Sequence, residues 1–263
     1  MVSYVGRHAA LYDIIYGEKP YAREAAFVDE CLKKYGIGST PTLLEVACGT
    51  GSHAFALEKL GYKIIATDYS EDMLACARRK AADFGSSTEF RWQDMRELNV
   101  EERPFDGVIC LFDSIGYVQT NEALIQVFEG VNRHLRSDGL FVFEFWHAAA
   151  MLSRYERVRV RRWSLETGEL VRIAETELDC EKQLAKVSYT IYELHGDGKC
   201  GVVNETITNR YFLVQEMAGW LTFCGFVPLG WFAGFTSNES ITQDAWHIVA
   251  VARKVTDPYG VKG

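Results

Sequence analysis

Five prolines punctuate the 263 residues, no Cys-x-x-Cys pair occurs among the seven cysteines, and no apolar run approaches the length of a membrane-spanning helix. Such a helix needs about 20 residues, so no membrane partner is expected. Few prolines and no low-complexity tract argue against long disordered linkers. The missing cysteine pairs remove the usual zinc spacing, and no metal is expected. An odd, scattered set (Cys31, Cys48, Cys76, Cys110, Cys180, Cys200, Cys224) suits reduced thiols packed as small apolar residues, hence a cytoplasmic setting. The N-terminus lacks a signal-like apolar core, and no fixed-period repeat occurs. Basic residues are outnumbered, 28 against 36 acids, for a net charge of −8. That balance argues against a generally basic nucleic-acid surface.

What is present is organised around residues 41–54. Leu43 to Ala47 reads as a buried strand, Gly49 and Gly51 follow one residue apart, and a helical pattern opens at Ser52. Strand, glycine turn and helix place free N–H groups and a positive helix end beside a gap that suits a small anionic ligand. Both glycines are expected to admit the ligand close to the backbone. Gly49-x-Gly51-x-x-Ala54 also fits the dinucleotide fingerprint. The next unit, residues 61–68, is a second strand that ends on Asp68, where a βαβ unit brings a carboxylate to a ribose diol. The plainer alternative is that Asp68 caps the following helix.

Further along, an amphipathic helix carries Met73, Leu74, Ala77 and Ala81. A third strand spans 89–95 and reaches Asp94. A fourth spans 105–114, with Gly116 and Tyr117 in its exit loop. A helix around Ala123 to Leu135, a turn at 137–139 and a fifth strand over 140–145 follow. Apolar strands alternating with amphipathic helices predict a parallel sheet covered on both faces. Ligands bind beyond the strand ends in such sheets. Asp68, Asp94, Asp113 and Glu144 gather at or near those ends, and Glu45 lies on the first strand.

From about residue 155 the period shortens to two. Val158, Val160 and Trp163 alternate with Arg157, Arg159 and Arg161, which reads as one apolar and one basic face. Alternating stretches continue to residue 208, joined by Thr167-Gly168 and Gly196-Asp197-Gly198 turns, so an antiparallel subdomain is expected. A helix over 215–225, closing strands over 226–232 and 245–252, and a short hydrophilic tail end the chain. The fold expected is α/β: a doubly wound, mostly parallel seven-stranded sheet from residues 41–152 and 211–263. An antiparallel β subdomain is inserted over 153–210. Residues 1–40 form a helical lid, with Tyr12 and Tyr16 four apart on one face; simple packing of that face is the alternative.

Glu45-Val46-Ala47-Cys48-Gly49-Thr50-Gly51, Asp68-Tyr69-Ser70-Glu71-Asp72-Met73-Leu74, Asp94-Met95 and Phe105-Asp106 together resemble the class I S-adenosylmethionine-dependent methyltransferases. With Tyr12 to Tyr16, Tyr21, Glu24 and Ser114-Ile115-Gly116-Tyr117 added, the chain is similar to small-molecule N-methyltransferases acting on nucleotide-linked amino sugars. Those enzymes carry His where Tyr117 stands. The resemblance implies a Rossmann-like sheet, S-adenosylmethionine as cofactor, a small-molecule acceptor and often a homodimer. It implies that Ala47, Gly49 and Gly51 lie along the methionine part, while Glu45 orders the glycine loop or reaches the methionine ammonium through water. Asp68 would hold the ribose diol, and Tyr69, Met73, Asp94 and Met95 the adenine. Leu111 would offer its carbonyl to the ammonium, and Tyr16 would complete the cofactor set.

Methyl transfer leaves the protein to align nucleophile, carbon and sulfur and to exclude water. Tyr117, Glu144 and His147 are the candidates to receive an amine proton. Their plainer roles are pocket shape, orientation of substrate hydroxyls and surface packing. Tyr12, Tyr21 and Ser114 are acceptor-binding candidates. Arg159, in the one basic stripe, is a candidate contact to a diphosphate or else part of a solvated face. O- or C-methylation, an NAD-dependent oxidoreductase and a non-catalytic cofactor-binding subunit are the competing readings.

Overall fold

The computed structural model describes residues 4–38, 41–102 and 104–255; the expected C-terminal tail lies almost wholly outside them. Two helices, α1 (Arg7–Ile15) and α2 (Tyr21–Lys34), lead into β1 (Thr42–Val46), α3 (Ser52–Glu58), β2 (Lys63–Asp68), α4 (Glu71–Phe84), β3 (Glu89–Trp92), β4 (Phe105–Cys110), α5 (Asn121–His134) and β5 (Leu135–Trp146). After α6 (Ala148–Arg154) come β6 (Val158–Leu165), β7 (Gly168–Asp179), β8 (Leu184–His195) and β9 (Cys200–Arg210). The chain closes with α7 (Val214–Phe223), β10 (Phe226–Ala233) and β11 (His247–Lys254).

Seven strands form one sheet in the order β10-β11-β5-β4-β1-β2-β3, and only β11 runs against its neighbours. The reason is legible in alternate residues. Val108, Cys110, Phe141 and Phe143 enter one core with Phe128 and Leu221, whereas Ile109 and Val142 enter the opposite core with Val28, Leu57 and Leu74. A strand buried on both faces needs a continuous apolar run, which β4 and β5 supply. Chain crossovers leave β1 in one direction and β4 in the other, so the β1–β4 boundary is the topological switch point, where a crevice opens at the strand ends. Helix ends follow local chemistry. Ser70 accepts the Met73 N–H to start α4, and Gly85 in left-handed conformation ends it.

Strand boundaries depart from expectation at three places. β3 stops at Trp92, and Asp94 instead caps a short 3-10 turn by accepting the Arg96 N–H. β4 stops at Cys110, because Phe112 and Asp113 both take positive φ, a conformation no strand accommodates. Residues 137–139 lie within β5, where the register with β4 shifts.

The inserted sheet, β6-β7-β8-β9, is antiparallel throughout. Its inner face packs Leu170 and Ile191 against Leu11 and Ile15 of α1. The basic-versus-apolar reading of β6 is corrected here. Trp163 shares the side of Arg159 and Arg161 and packs inward, whereas Val158 and Val160 face outward and are 52% and 55% exposed. β6 is an edge strand, and its outer valines are open to solvent among the described residues.

Candidate active site

A cavity of about 670 Å³ opens at the C-terminal ends of β1, β2 and β4. Its floor begins at Glu45, Ala47 and Gly49, and Asp68, Tyr69 and Met73 continue it past β2. Asp94 and Met95 close that end. Leu111, Ser114 and Tyr117 form the wall beyond β4, and Tyr12 and Tyr21 come from the N-terminal helices. Residues scattered over more than a hundred positions thus meet in one space.

Gly49 takes a left-handed turn (φ 57°), and a Cβ there would stand 3.3 Å from the Met73 methyl. Gly51 (φ 79°) lies outside the wall; its Cβ would meet the Phe90 ring at 2.6 Å. Of the two glycines expected at the ligand, Gly49 is thus the one in the wall. Gly51 lets α3 pack against β3 instead.

Asp68 is held rather than free to swing. Its two carboxylate oxygens accept the Gly49 N–H at 2.7 Å and the Ser70 N–H at 2.8 Å. Burial raises its pKa, and those N–H groups oppose the rise. Glu45 is 2% exposed, and its Oε2 has no hydrogen-bond partner. Burial, with the charge of Asp68 beside it, pushes its pKa up to about 8. An orphaned carboxyl oxygen facing a cavity fits a cationic ligand group such as an ammonium. Burial works against the Asp94 carboxylate as well, but Arg96 donates to it at 2.9 Å and holds its pKa below the usual value.

Four candidates stand apart from the cavity wall. Tyr16 accepts from the Arg172 guanidinium at 3.0 Å, part of a buried cage in which Trp163 and Tyr189 also flank Arg172. Glu144 is buried behind the wall, where it accepts the Phe112 N–H at 2.6 Å. His147 follows β5 directly and caps α6, its Nδ1 bonded to the Ala245 carbonyl at 3.1 Å. Burial lowers its pKa. Arg159 is 48% exposed and pairs with Glu156, because its strand belongs to the outer edge of the inserted sheet. Tyr117 does line the cavity, yet burial raises its phenol pKa strongly and its hydroxyl donates to Tyr4 at 3.1 Å. It remains protonated at neutral pH and is a donor, not a proton acceptor.

Three wall or support groups escaped the sequence reading. Tyr4 lines the cavity next to Tyr117. His53, inside the glycine motif, also lines it and bonds Glu24 at 2.7 Å. Burial opposes the Glu24 carboxylate, but His53 and Lys19 hold its pKa below the usual value. His247 lies against Asp113 and Glu144, a juxtaposition no spacing announces. The ligating atoms of those three lie within 4.8 Å of one another, near enough for a metal, but the imidazole itself stands between the carboxylates.

A glycine-turn cavity with an acid at the end of β2, at the switch point of a doubly wound sheet, defines an enzyme class that binds a nucleoside-bearing cofactor. Residues 43–139 match the family described as "Methyltransferase domain". A protein of Geobacillus sp. (strain WCH70), provisionally classed as a methyltransferase, is 30% identical over 92% of this chain and 96% of its own. An amino-sugar relative, dTDP-3-amino-3,6-dideoxy-alpha-D-glucopyranose N,N-dimethyltransferase of Streptomyces fradiae, is 34% identical over 54% of each chain. An S-adenosylmethionine-dependent methyltransferase from Clostridium acetobutylicum shares the fold, with a TM-score of 0.82 at 20% identity over 95% of this chain and 98% of the other. The chain therefore belongs to the S-adenosylmethionine-dependent methyltransferases, and the oxidoreductase reading falls away. Among the described residues no helix is long and apolar enough to cross a membrane.

Proposed function

We propose that this chain methylates the amine nitrogen of a small, hydroxyl-bearing metabolite such as an amino sugar. One observation carries the reading: the acidic floor at Glu45 and Asp68 continues, within a single cavity, into a wall of uncharged donors and acceptors at Ser114, Tyr117, Thr206 and Thr208. The first half suits the cofactor and the second a polar, neutral acceptor. The amino-sugar relative supports a nitrogen acceptor.

When bound, the cofactor supplies a carbon made electrophilic by its sulfonium. On this reading Asp68 accepts from the ribose diol and Glu45 faces the methionine ammonium. Leu111 offers its carbonyl there, and Met73 with Asp94 and Met95 borders the adenine. Tyr12, Tyr21 and Tyr4 exclude water, and Tyr117, whose own proton goes to Tyr4, accepts from an acceptor hydroxyl. None of the acceptor-side residues Ser114, Tyr117, Thr206 and Thr208 is a base at neutral pH, so on this reading the amine loses its proton to solvent before it enters or as the product leaves. Seven free thiols support a reducing, cytoplasmic setting. A homodimer would cover the outer face of the inserted sheet, where Val158 and Val202 are each 52% exposed.

The test is transfer of labelled methyl from the cofactor to pooled amines, free amino sugars and sugar nucleotides, with acceptors lacking nitrogen as controls. Label on an amine supports the reading. Label confined to hydroxyl or carbon acceptors, or no transfer to any member, refutes it.

A further inference from the structure

We propose that His247 is a positioning residue for the cofactor's methionine end, acting through the turn that follows β4. The inference rests on the cofactor placement given above. That turn is built against local preference: Phe112 (φ 58°) and Asp113 (φ 55°) are consecutive non-glycine residues in left-handed conformation. Such a pair is unfavourable for L-residues and persists only where its surroundings over-determine it.

Three elements converge to do so. Glu144 on β5 accepts the Phe112 N–H at 2.6 Å. Asn209 on β9 donates to the Asp113 carbonyl at 3.4 Å. His247 on β11 places Nδ1 2.9 Å from the Asp113 carboxylate and 3.2 Å from that of Glu144. Both carboxylates are 3% exposed and would repel each other without a cation between them. Burial alone would lower the imidazole pKa, but the two carboxylates override it and raise the pKa well above its usual value. The charged ring therefore holds both acids in place, and through Glu144 the Phe112 N–H of the strained turn.

The effect reaches the cavity because of what the turn carries. Leu111 and Phe112 line it on one side and Ser114 on the other. The Phe112 ring packs edge-on against Tyr16, just past the end of α1, at 5.1 Å between centroids. A side chain separated from β1 by two strands thus decides where the Leu111 carbonyl and the Phe112 ring stand.

Calorimetric titration with S-adenosylhomocysteine and with 5′-methylthioadenosine, which lacks the amino-acid end, separates positioning from general support. His247→Gln is expected to weaken S-adenosylhomocysteine about tenfold or more and 5′-methylthioadenosine less than about threefold. His247→Arg keeps a cation beside both carboxylates and should restore the homocysteine ligand to within about threefold. Because His247→Gln leaves two buried acids unneutralised, the double variant Glu144→Gln/His247→Gln removes one acid together with the cation; it should show the same selective loss while folded. Equal loss of both ligands, no loss in the folded double variant, or an Arg variant no better than Gln overturns the proposal. So does failure of every variant to fold, which would mark a core support and nothing more. Wild-type protein that binds the two ligands equally would instead remove the methionine end from this turn, and the inference with it.

Discussion

Replacing Glu45 with Gln removes a carboxyl that the fold keeps protonated at neutral pH. The carboxyl is 2% exposed with an unpartnered Oε2, and burial together with Asp68 pushes its pKa from 4.5 up to about 8. Between those two values the folded chain holds a proton that the unfolded chain has released. Stability contributed by this group is therefore full below pH 4.5 and falls as pH rises, by about 1.4 kcal/mol per pH unit, reaching a loss of about 3 kcal/mol at pH 7. Above about pH 8 both states are ionised and the slope ends. Glu45→Gln carries no such slope. Chemical denaturation of both proteins from pH 5 to 9 should show the variant gaining on wild type at each step up to about pH 8, then running parallel. The ligand adds a second readout: an ammonium beside Glu45 favours its ionised form, so wild type should release a proton on binding S-adenosylhomocysteine at pH 7, and the variant should not. Titration in buffers of different ionisation enthalpy reads that proton. Parallel stability profiles across the whole range would refute the assignment of a buried, protonated Glu45.

Three further outcomes test other parts of the site. Asp68→Asn should weaken S-adenosylhomocysteine about 10- to 100-fold, the loss of charge-assisted bonds worth roughly 1.5–3 kcal/mol; a change under twofold in calorimetry would mean that the ribose is held elsewhere. Gly51→Ala forces a left-handed alanine whose Cβ stands 2.6 Å from the Phe90 ring, so unfolding free energy should drop by about 1–3 kcal/mol in denaturant titration; an unchanged midpoint would show that α3 does not press on β3 there. Arg159→Ala should leave stability within about 0.5 kcal/mol, as for other exposed ion pairs, and turnover of whichever amine the labelled screen finds within about twofold; a marked rise in acceptor KM would bring the diphosphate contact back.

The sequence by itself carried the sheet, and it pointed to several of the residues that line the cavity. Strands with apolar residues at consecutive positions can only be buried on both faces, and a glycine turn followed one unit later by Asp68 constrains where a nucleoside can lie; both signals are local, a few residues long, and β1 to β2 obeys them. The antiparallel insert was equally readable from period two. At β6 period two already sets Trp163 opposite Val160, on the side of Arg159 and Arg161; which of those faces packs inward was not readable, since that depends on what lies against the sheet.

Only the tertiary structure decided which acids face the cavity. Asp68 and Glu144 look alike in sequence, each at a strand end, yet one lines the wall and the other stands behind it bonded to Phe112. The left-handed pair at Phe112 and Asp113, and the imidazole of His247 that braces it, had no sequence signal either. Pairings across such distances depend on strand order and on the angle at which a turn leaves its strand, and neither is written in the residues that finally touch.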